Sequence, residues 1–356
     1  MYSKRNKNIS NTLSLRRKIA QLFLMGFKGS DMSKSTELYT MIEKFGLGAV
    51  ILFDQDMVLQ KPIHNISSPV QLQELCASLH EVSSLPLWIG IDQEGGLVNR
   101  LKPVYGFPET KSHAYLGNQN DIELTYQQAK DIGRILREMH ITINFAPVVD
   151  VAKELNSSII AKRERSFGSS SDLVYRHAKA YLRGLQSEGI WGCCKHFPGH
   201  GSATGDTHAG FVDVTDTWQE DELLPYSALI KDGLCSIIMT AHVIHRKFDA
   251  MHPATISKYI IPKLLRKKMN FNGLVFTDDM QMKAISDHYG IKEALKMGLN
   301  AGVDMFCFGN NLLPNPAKLS DLVSTVEQLI EEGLINENRI DYSVSRILRM
   351  KSQKPN

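Results

Sequence analysis

The chain has 356 residues, 43% of them hydrophobic and 22% charged, with a formal net charge of +3. Those proportions are those of an ordinary soluble globular protein, and so small a charge excludes a nucleic-acid binder held by electrostatics. Part of the positive excess sits in Lys4, Arg5, Lys7, Arg16, Arg17 and Lys18, read as a flexible, solvated tail over residues 1–13 and the exposed face of a first helix.

After Lys4 and Arg5 the sequence stays polar through Asn11, where a secretory signal needs an apolar core. The run 22–27 is too short to span a bilayer. A cytoplasmic protein with no membrane insertion is expected. The five cysteines, Cys76, Cys193, Cys194, Cys235 and Cys307, are odd in number and several lie in apolar runs. They read as buried free thiols of a reducing compartment, and without a CxxC spacing no zinc site is expected.

Short apolar runs recur at residues 22–27, 49–53, 87–92, 143–148, 192–196, 237–242, 274–278 and 305–308. Several are almost continuously apolar, as parallel strands buried on both faces are. Helical periodicity fills segments between them, such as 172–187 and 291–299, with stop signals at Gly189 and Gly302. Eight strands alternating with helices predict a (β/α)8 barrel in a single domain, residues 14–356, ahead of an open doubly wound sheet. The dinucleotide glycine fingerprint and the P-loop signature are both absent from the sequence, which weakens the open-sheet reading. Residues 53–69, with two prolines, read as a loop bordering the site, and 319–332 and 340–350 as amphipathic closing helices.

In a barrel, polar residues at strand C-termini point into the mouth. Here those ends carry Asp92, Asp150, Lys195, His196, His242 and Asp278. Burying several charges without a ligand costs several kcal/mol per ion, so the set marks a site. After the fifth strand comes KHFPGHGSATGDTHAG, residues 195–210, whose glycines and proline make it a loop. Within it Asp206 and His208 pair a carboxylate with an imidazole, which can tune a proton donor. A strand-end acid and a loop acid/base together suggest a hydrolase working through covalent catalysis. Asp278-Asp279 reads as a nucleophile with a neighbour, a metal site or a helix cap, and only one of the two should face the mouth. His196, His200 and His208 with Asp206 are an alternative metal set, but Pro198 and Gly199 oppose the helix that an HxxxH pair needs. Gly95-Gly96 reads as a tight turn. Arg100 and Arg165 are surface residues by default, Arg165 the more suggestive because it lies in a loop.

Six segments, IDQEGGLVNRL (91–101), NFAPVVDV (144–151), RSFG (165–168), KHFPGHG…DTH (195–208), MTAH (239–242) and VFTDDMQMKAI (275–285), resemble glycoside hydrolase family 3. The resemblance covers residues 14–351 and is strongest to the bacterial single-domain β-N-acetylglucosaminidases that recycle cell-wall muropeptides. It implies a TIM-like barrel and a retaining double displacement through a glycosyl-enzyme ester. By position it implies Asp278 as nucleophile and His208, assisted by Asp206, as acid/base on a loop that swings in over bound sugar. Asp92, Arg100, Arg165, Lys195 and His196 would grip sugar hydroxyls. The implied partner is a β-GlcNAc glycoside acted on by a monomer, with no cofactor and no metal. Leu97 stands where the family often has Arg, the stretch 201–205 departs from the usual pattern, and the 53–69 loop is longer than in compact members. A β-glucosidase or glycoside phosphorylase of the same family stays open as an alternative, as do a metal-dependent hydrolase on a barrel and a silent sugar-binding barrel.

Overall fold

The computed structural model describes residues 12–32, 36–153, 159–207 and 210–355. Nearly all of the expected tail and His208 therefore lie outside the described residues. Among the described residues there are ten strands: β1 (Phe23–Gly26), β2 (Ala49–Leu52), β3 (Trp88–Ile91), β4 (Ile143–Asn144), β5 (Trp191–Phe197), β6 (Val212–Asp213), β7 (Ile237–Thr240), β8 (Val243–Ile244), β9 (Leu274–Asp279) and β10 (Met305–Phe308). Eight of them close a barrel in the order β1-β10-β9-β7-β5-β4-β3-β2, every pair parallel. The open sheet is thereby excluded. β6 and β8 pair separately as a two-stranded parallel ladder over a small cluster of Ala203, Val212, Val214, Ala241 and Val243.

The predicted strand over 143–148 is the main departure, since only Ile143–Asn144 forms ladder structure. Pro147 has no N–H to give the ladder, and pairing returns only as a bridge between Val148 and Lys195. The predicted 237–242 strand stops at Thr240, where the Ala241 amide turns to the Phe197 carbonyl at 2.8 Å.

Alternation along the strands sorts two cores. Leu24, Ala49, Ile51, Trp88, Ile143, Trp191, Cys193, Ile237, Met239, Leu274, Phe276, Met305 and Cys307 fill the barrel interior, while residues such as Val50, Ile89, Cys194, Ile238 and Val275 face the helices. Gly90 sits at an interior position where a Cβ would come within 2.6 Å of the Phe145 ring. All five cysteines are buried and free.

The helices follow local signals. Ser68 caps the helix Pro69–Val82, with Pro69 in its first turn, by accepting from the Gln71 amide at 3.2 Å. The helix Ile122–Glu138 is capped by Asp121 and turns Thr125, Ala129, Ile132 and Leu136 inward at helical spacing. The helix Ile291–Ala301 stops at Gly302, where a left-handed φ of 108° suits glycine, as predicted. Among the described residues no helix is long and apolar enough to cross a membrane.

The last helix, Glu337–Lys351, closes the floor of the barrel, placing Ile347 and Met350 against the interior cluster. Beside them Asp304, fully buried at the start of β10, accepts from Ser343 at 2.6 Å, Arg266 at 2.7 Å and the Val275 amide at 3.0 Å. This network lies at the end of the barrel opposite the mouth, where such residues serve stability.

Lys351 is a different matter. Among the described residues its amine meets neutral groups, the Gly48 carbonyl at 2.6 Å and Gln21 Oε1 at 2.8 Å, with the Trp88 ring 5.5 Å away. Burial lowers its pKa to about 7. Because the unfolded lysine titrates near ~10.4, the unfolded chain binds the extra proton between those values, and stability should rise with pH across that window. Relative to Lys351→Met, the wild type should gain about 1 kcal/mol per pH unit from pH 7 to 9. Parallel denaturation curves for the two proteins over that range would contradict the assignment.

Candidate active site

Period-two alternation along β9 points to Asp278. Leu274 and Phe276 face the barrel interior and Val275 faces the helices, which puts Asp278 next in that column at the C-terminal mouth, while the register against β10 shifts between Phe276 and Asp279 and pairs Asp279 with Cys307. β5 repeats the pattern, with Trp191 and Cys193 inside and Lys195 above them. β3 does so with Trp88, Gly90 and then Asp92. Asp278, Asp92 and Lys195 act electrostatically on the buried thiols of both Cys193 and Cys307, and Asp279 acts on Cys307 ahead of Asp278, so all four charges lie close above the interior thiols. Asp278 Oδ1 accepts the Asp279 amide at 2.8 Å, which fixes the carboxylate's direction.

Asp279 does other work. Its Oδ1 accepts from the Gln281 amide at 3.0 Å and its carbonyl accepts from the Met282 amide and from His242 Nε2, both at 3.0 Å. The acid thus caps the turn that leaves β9, and His242, buried and bonded to Thr255 Oγ1 at 2.8 Å, ties the ends of β7 and β9 together.

Across the mouth lies a cluster whose hub the sequence reading did not single out. Glu94, 1% exposed, accepts two hydrogen bonds from Arg165, at 2.9 and 2.8 Å, and pairs with Lys195 Nζ at 2.8 Å. Lys195 also donates to Asp92 Oδ1 at 2.7 Å. Burial alone would raise the Glu94 pKa, but Arg165 and Lys195 outweigh it and hold the carboxyl far below the usual range. Burial likewise opposes the charge on Lys195, yet Asp92 and Glu94 keep its pKa above the ordinary value. Two cations and two carboxylates balance. Glu94 is sealed in, whereas the Asp92 and Arg165 side chains keep 17% and 14% exposure, so these two present polar edges to the cavity. Gly95 and Gly96, both at positive φ, turn the chain immediately after Glu94, as expected.

Arg100 completes the rim. Its guanidinium is 3.7 Å from Asp92 Oδ2 and 3.5 Å from Asp54 Oδ1, and lies over the Phe53 ring. Asp54, buried, also holds Lys102. The loop 53–69 delivers Asp54 there. Asn65 braces it by accepting from the Phe53 amide at 2.9 Å, Asn311 by accepting from the Met57 amide at 3.0 Å, and Tyr105 by donating to the Pro62 carbonyl at 2.6 Å.

His196 lies between Asp150 and Arg165 and is 5% exposed. Arg165 Nη2 approaches His196 Nε2 at 3.2 Å, and a guanidinium can only donate. Nε2 is therefore the acceptor, and Nδ1–H donates to Asp150 Oδ2 at 2.7 Å. Asp150 is fully buried; burial opposes its charge, but His196 and the amides of His196 and His200 depress its pKa. Burial lowers the His200 pKa to about 4, so that ring stays neutral at physiological pH.

The loop after β5 is less free than its glycines suggest. Residues 197–203 are buried. Trp218 Nε1 donates to the Pro198 carbonyl at 3.1 Å, and buried Glu222, its pKa pushed by burial to about 7, packs behind Gly199. Asp206 is half-buried at the end of this stretch.

A protein-family profile described as the glycosyl hydrolase family 3 N terminal domain matches residues 14–350. The chain is 31% identical over 355 residues to beta-hexosaminidase LpqI of Mycobacterium tuberculosis, covering 96% of this chain and 84% of that one. A beta-hexosaminidase of Nitrosomonas eutropha is 34% identical over 291 residues, 79% of this chain and 78% of the relative. Among solved structures, the family 3 beta-N-acetylglucosaminidase of Paenibacillus sp. str. FPU-7 superposes with a TM-score of 0.87 at 33% identity, over 96% of this chain but 62% of its own length. The structure titled M tuberculosis LpqI superposes at 0.82 and 30% identity, over 99% of this chain and 97% of its own.

Proposed function

This chain belongs to glycoside hydrolase family 3, and from that premise we propose that it is a retaining, exo-acting β-N-acetylhexosaminidase. The observation that supports the reading is Asp278 at the C-terminal end of β9, next in the column that Leu274 and Phe276 begin and within electrostatic reach of the same buried thiols as Lys195 and Asp92. The names of the relatives, beta-hexosaminidase and beta-N-acetylglucosaminidase, supply the sugar.

In the proposed reaction the terminal sugar enters the mouth with its hydroxyls against Asp92, Arg100, Arg165, Lys195 and His196. His196, fixed by Asp150, holds Arg165 in place. Asp278 attacks the anomeric carbon while His208, oriented by Asp206, gives its proton to the departing oxygen. A glycosyl ester on Asp278 results. The same imidazole, now neutral, takes a proton from water, and the water oxygen displaces Asp278 with net retention. An imidazole suits both halves because it titrates near neutrality. In full, the proposal places a single catalytic barrel over residues 14–356 in the cytoplasm, as a monomer acting on cell-wall muropeptide fragments.

Turnover of chromogenic β-GlcNAc, β-GalNAc and β-glucose glycosides, with and without phosphate, tests the reading. Hydrolysis of the two N-acetylhexosaminides that exceeds that of the glucoside and ignores phosphate is expected. Preference for glucose, or dependence on phosphate, would overturn it in favour of a β-glucosidase or a phosphorylase.

A further inference from the structure

Arg100 is aimed by charge rather than by hydrogen bonds. Its two terminal nitrogens reach different carboxylates, Asp54 Oδ1 at 3.5 Å and Asp92 Oδ2 at 3.7 Å. Its Nε is buried and has no hydrogen-bond partner among the described residues. A guanidinium carries five donors in a fixed fork and accepts nothing, so this one is oriented by two anions while its donors stay available to an acceptor entering the mouth. The backbone beneath it is fixed separately, since the amides of Arg100 and Leu101 donate to Gln93 Oε1 at 3.1 and 3.0 Å. What the backbone leaves open is the direction of a long, rotamer-rich side chain.

The two anions are not equivalent. The Asp92 side chain keeps 17% exposure, accepts from Lys195 at 2.7 Å and is itself placed to meet the sugar. The Asp54 side chain is 1% exposed and sealed from the cavity. Its place is set from below. The Asn65 amide donates to the Phe53 carbonyl at 2.9 Å and the His64 amide to the Asp54 carbonyl at 3.1 Å. His64 Nε2 and Asn65 Nδ2 in turn donate to the Phe27 carbonyl, just past β1, at 2.8 and 3.1 Å. The Phe53 ring lies under the guanidinium, its centroid 5.7 Å from the guanidinium carbon. Asp54 thus holds a fixed charge just past the end of β2, against the flank of Arg100, and shares it with Lys102.

We propose that Asp54 is a positioning residue for sugar recognition, orienting the Arg100 guanidinium toward one sugar hydroxyl without touching the sugar itself. The proposal rests on the reading of Arg100 as a sugar-binding residue of a glycosidase. A donor held in place for a hydroxyl discriminates against the analogue that lacks it; a guanidinium released from one of its anions loses that alignment.

The test uses full-length protein and aryl β-GlcNAc glycosides deoxygenated at one sugar hydroxyl at a time. Arg100→Ala identifies the hydroxyl: kcat/KM should fall about ten-fold or more on the parent but less than about two-fold on the one analogue lacking that hydroxyl. Asp54→Asn should lose about ten-fold on the parent and spare the same analogue. The double variant should be no worse than Arg100→Ala alone. Lys102→Met removes the other cation from Asp54 and leaves Arg100 its anion, so it should keep the wild-type pattern. Equal losses for Asp54→Asn across the whole set, or the same losses for Lys102→Met, would mean that Asp54 only ties two loops together and would overturn the proposal. If Asp54→Asn does not fold, Phe53→Leu, which removes the ring under the guanidinium and keeps both ion pairs, decides: a loss that spares the same analogue supports the proposal and an unchanged pattern overturns it. Arg100→Ala separates the two claims. A hydroxyl-specific loss there with none for Asp54→Asn defeats the positioning role alone, whereas no hydroxyl-specific loss for Arg100→Ala defeats the reading of Arg100 and the proposal with it.

Discussion

Asp278→Asn is expected to reduce turnover by about four orders of magnitude or more, the scale on which loss of a nucleophile is felt. Asp279→Asn should stay within about ten-fold of the wild type. The contrast follows from direction, since the two side chains carry the same charge. Asp278 continues the interior column of Leu274 and Phe276 into the mouth, whereas Asp279 is spent on the Gln281 amide. An asparagine at 279 can still accept that amide through its own Oδ1, so the turn leaving β9 should survive. At 278 an amide has neither the charge nor the nucleophilicity to form the ester. Steady-state assays on both variants, with thermal denaturation as a check of folding, read this out.

The second large effect belongs to a residue that never meets the sugar. Glu94→Gln keeps the shape of the side chain but leaves Lys195 and Arg165 with one buried acid fewer and places amide protons against donors. Removing one partner from a buried ion network costs about 3–5 kcal/mol. We expect a loss of that order in unfolding free energy, with a fall in turnover because Lys195 and Arg165 lose their common anchor. The pH dependence is specific. Glu94 has a folded pKa depressed below its unfolded value, so its contribution is complete above the unfolded pKa of ~4.3 and fades as pH falls further. The stability gap between wild type and variant should be widest at neutral pH and narrow in acid. A gap that is absent at pH 7, or constant down to pH 3, would show that Glu94 does not anchor the two cations.

What the sequence made legible was periodic. Buried parallel strands, their polar ends and the glycine stops at Gly189 and Gly302 all follow from local spacing, and the structure has them. The strand over 143–148 failed because one proline interrupts a ladder that hydrophobicity alone would continue. Glu94 was readable in retrospect, for it stands two residues beyond Asp92 and so on the same face of the extended chain; the neighbouring glycines drew attention to the turn instead. Asp54 was not readable, because its burial depends on Arg100 and Lys102 arriving from another loop. The same holds for the pinning of residues 197–203, which depends on Trp218 and Glu222 some twenty residues later. The bonds that fix His196 between Asp150 and Arg165 were not readable either. Interactions that join distant loops leave no periodic trace.

The central claim is that catalysis passes through a covalent ester on Asp278. Incubating the enzyme with a slow fluorinated N-acetylglucosaminyl substrate and mapping the trapped sugar by peptide mass spectrometry tests it directly. Modification confined to the peptide carrying residues 274–279, with the sugar on Asp278, is the predicted result; a label on Asp279 or on any other residue would contradict it.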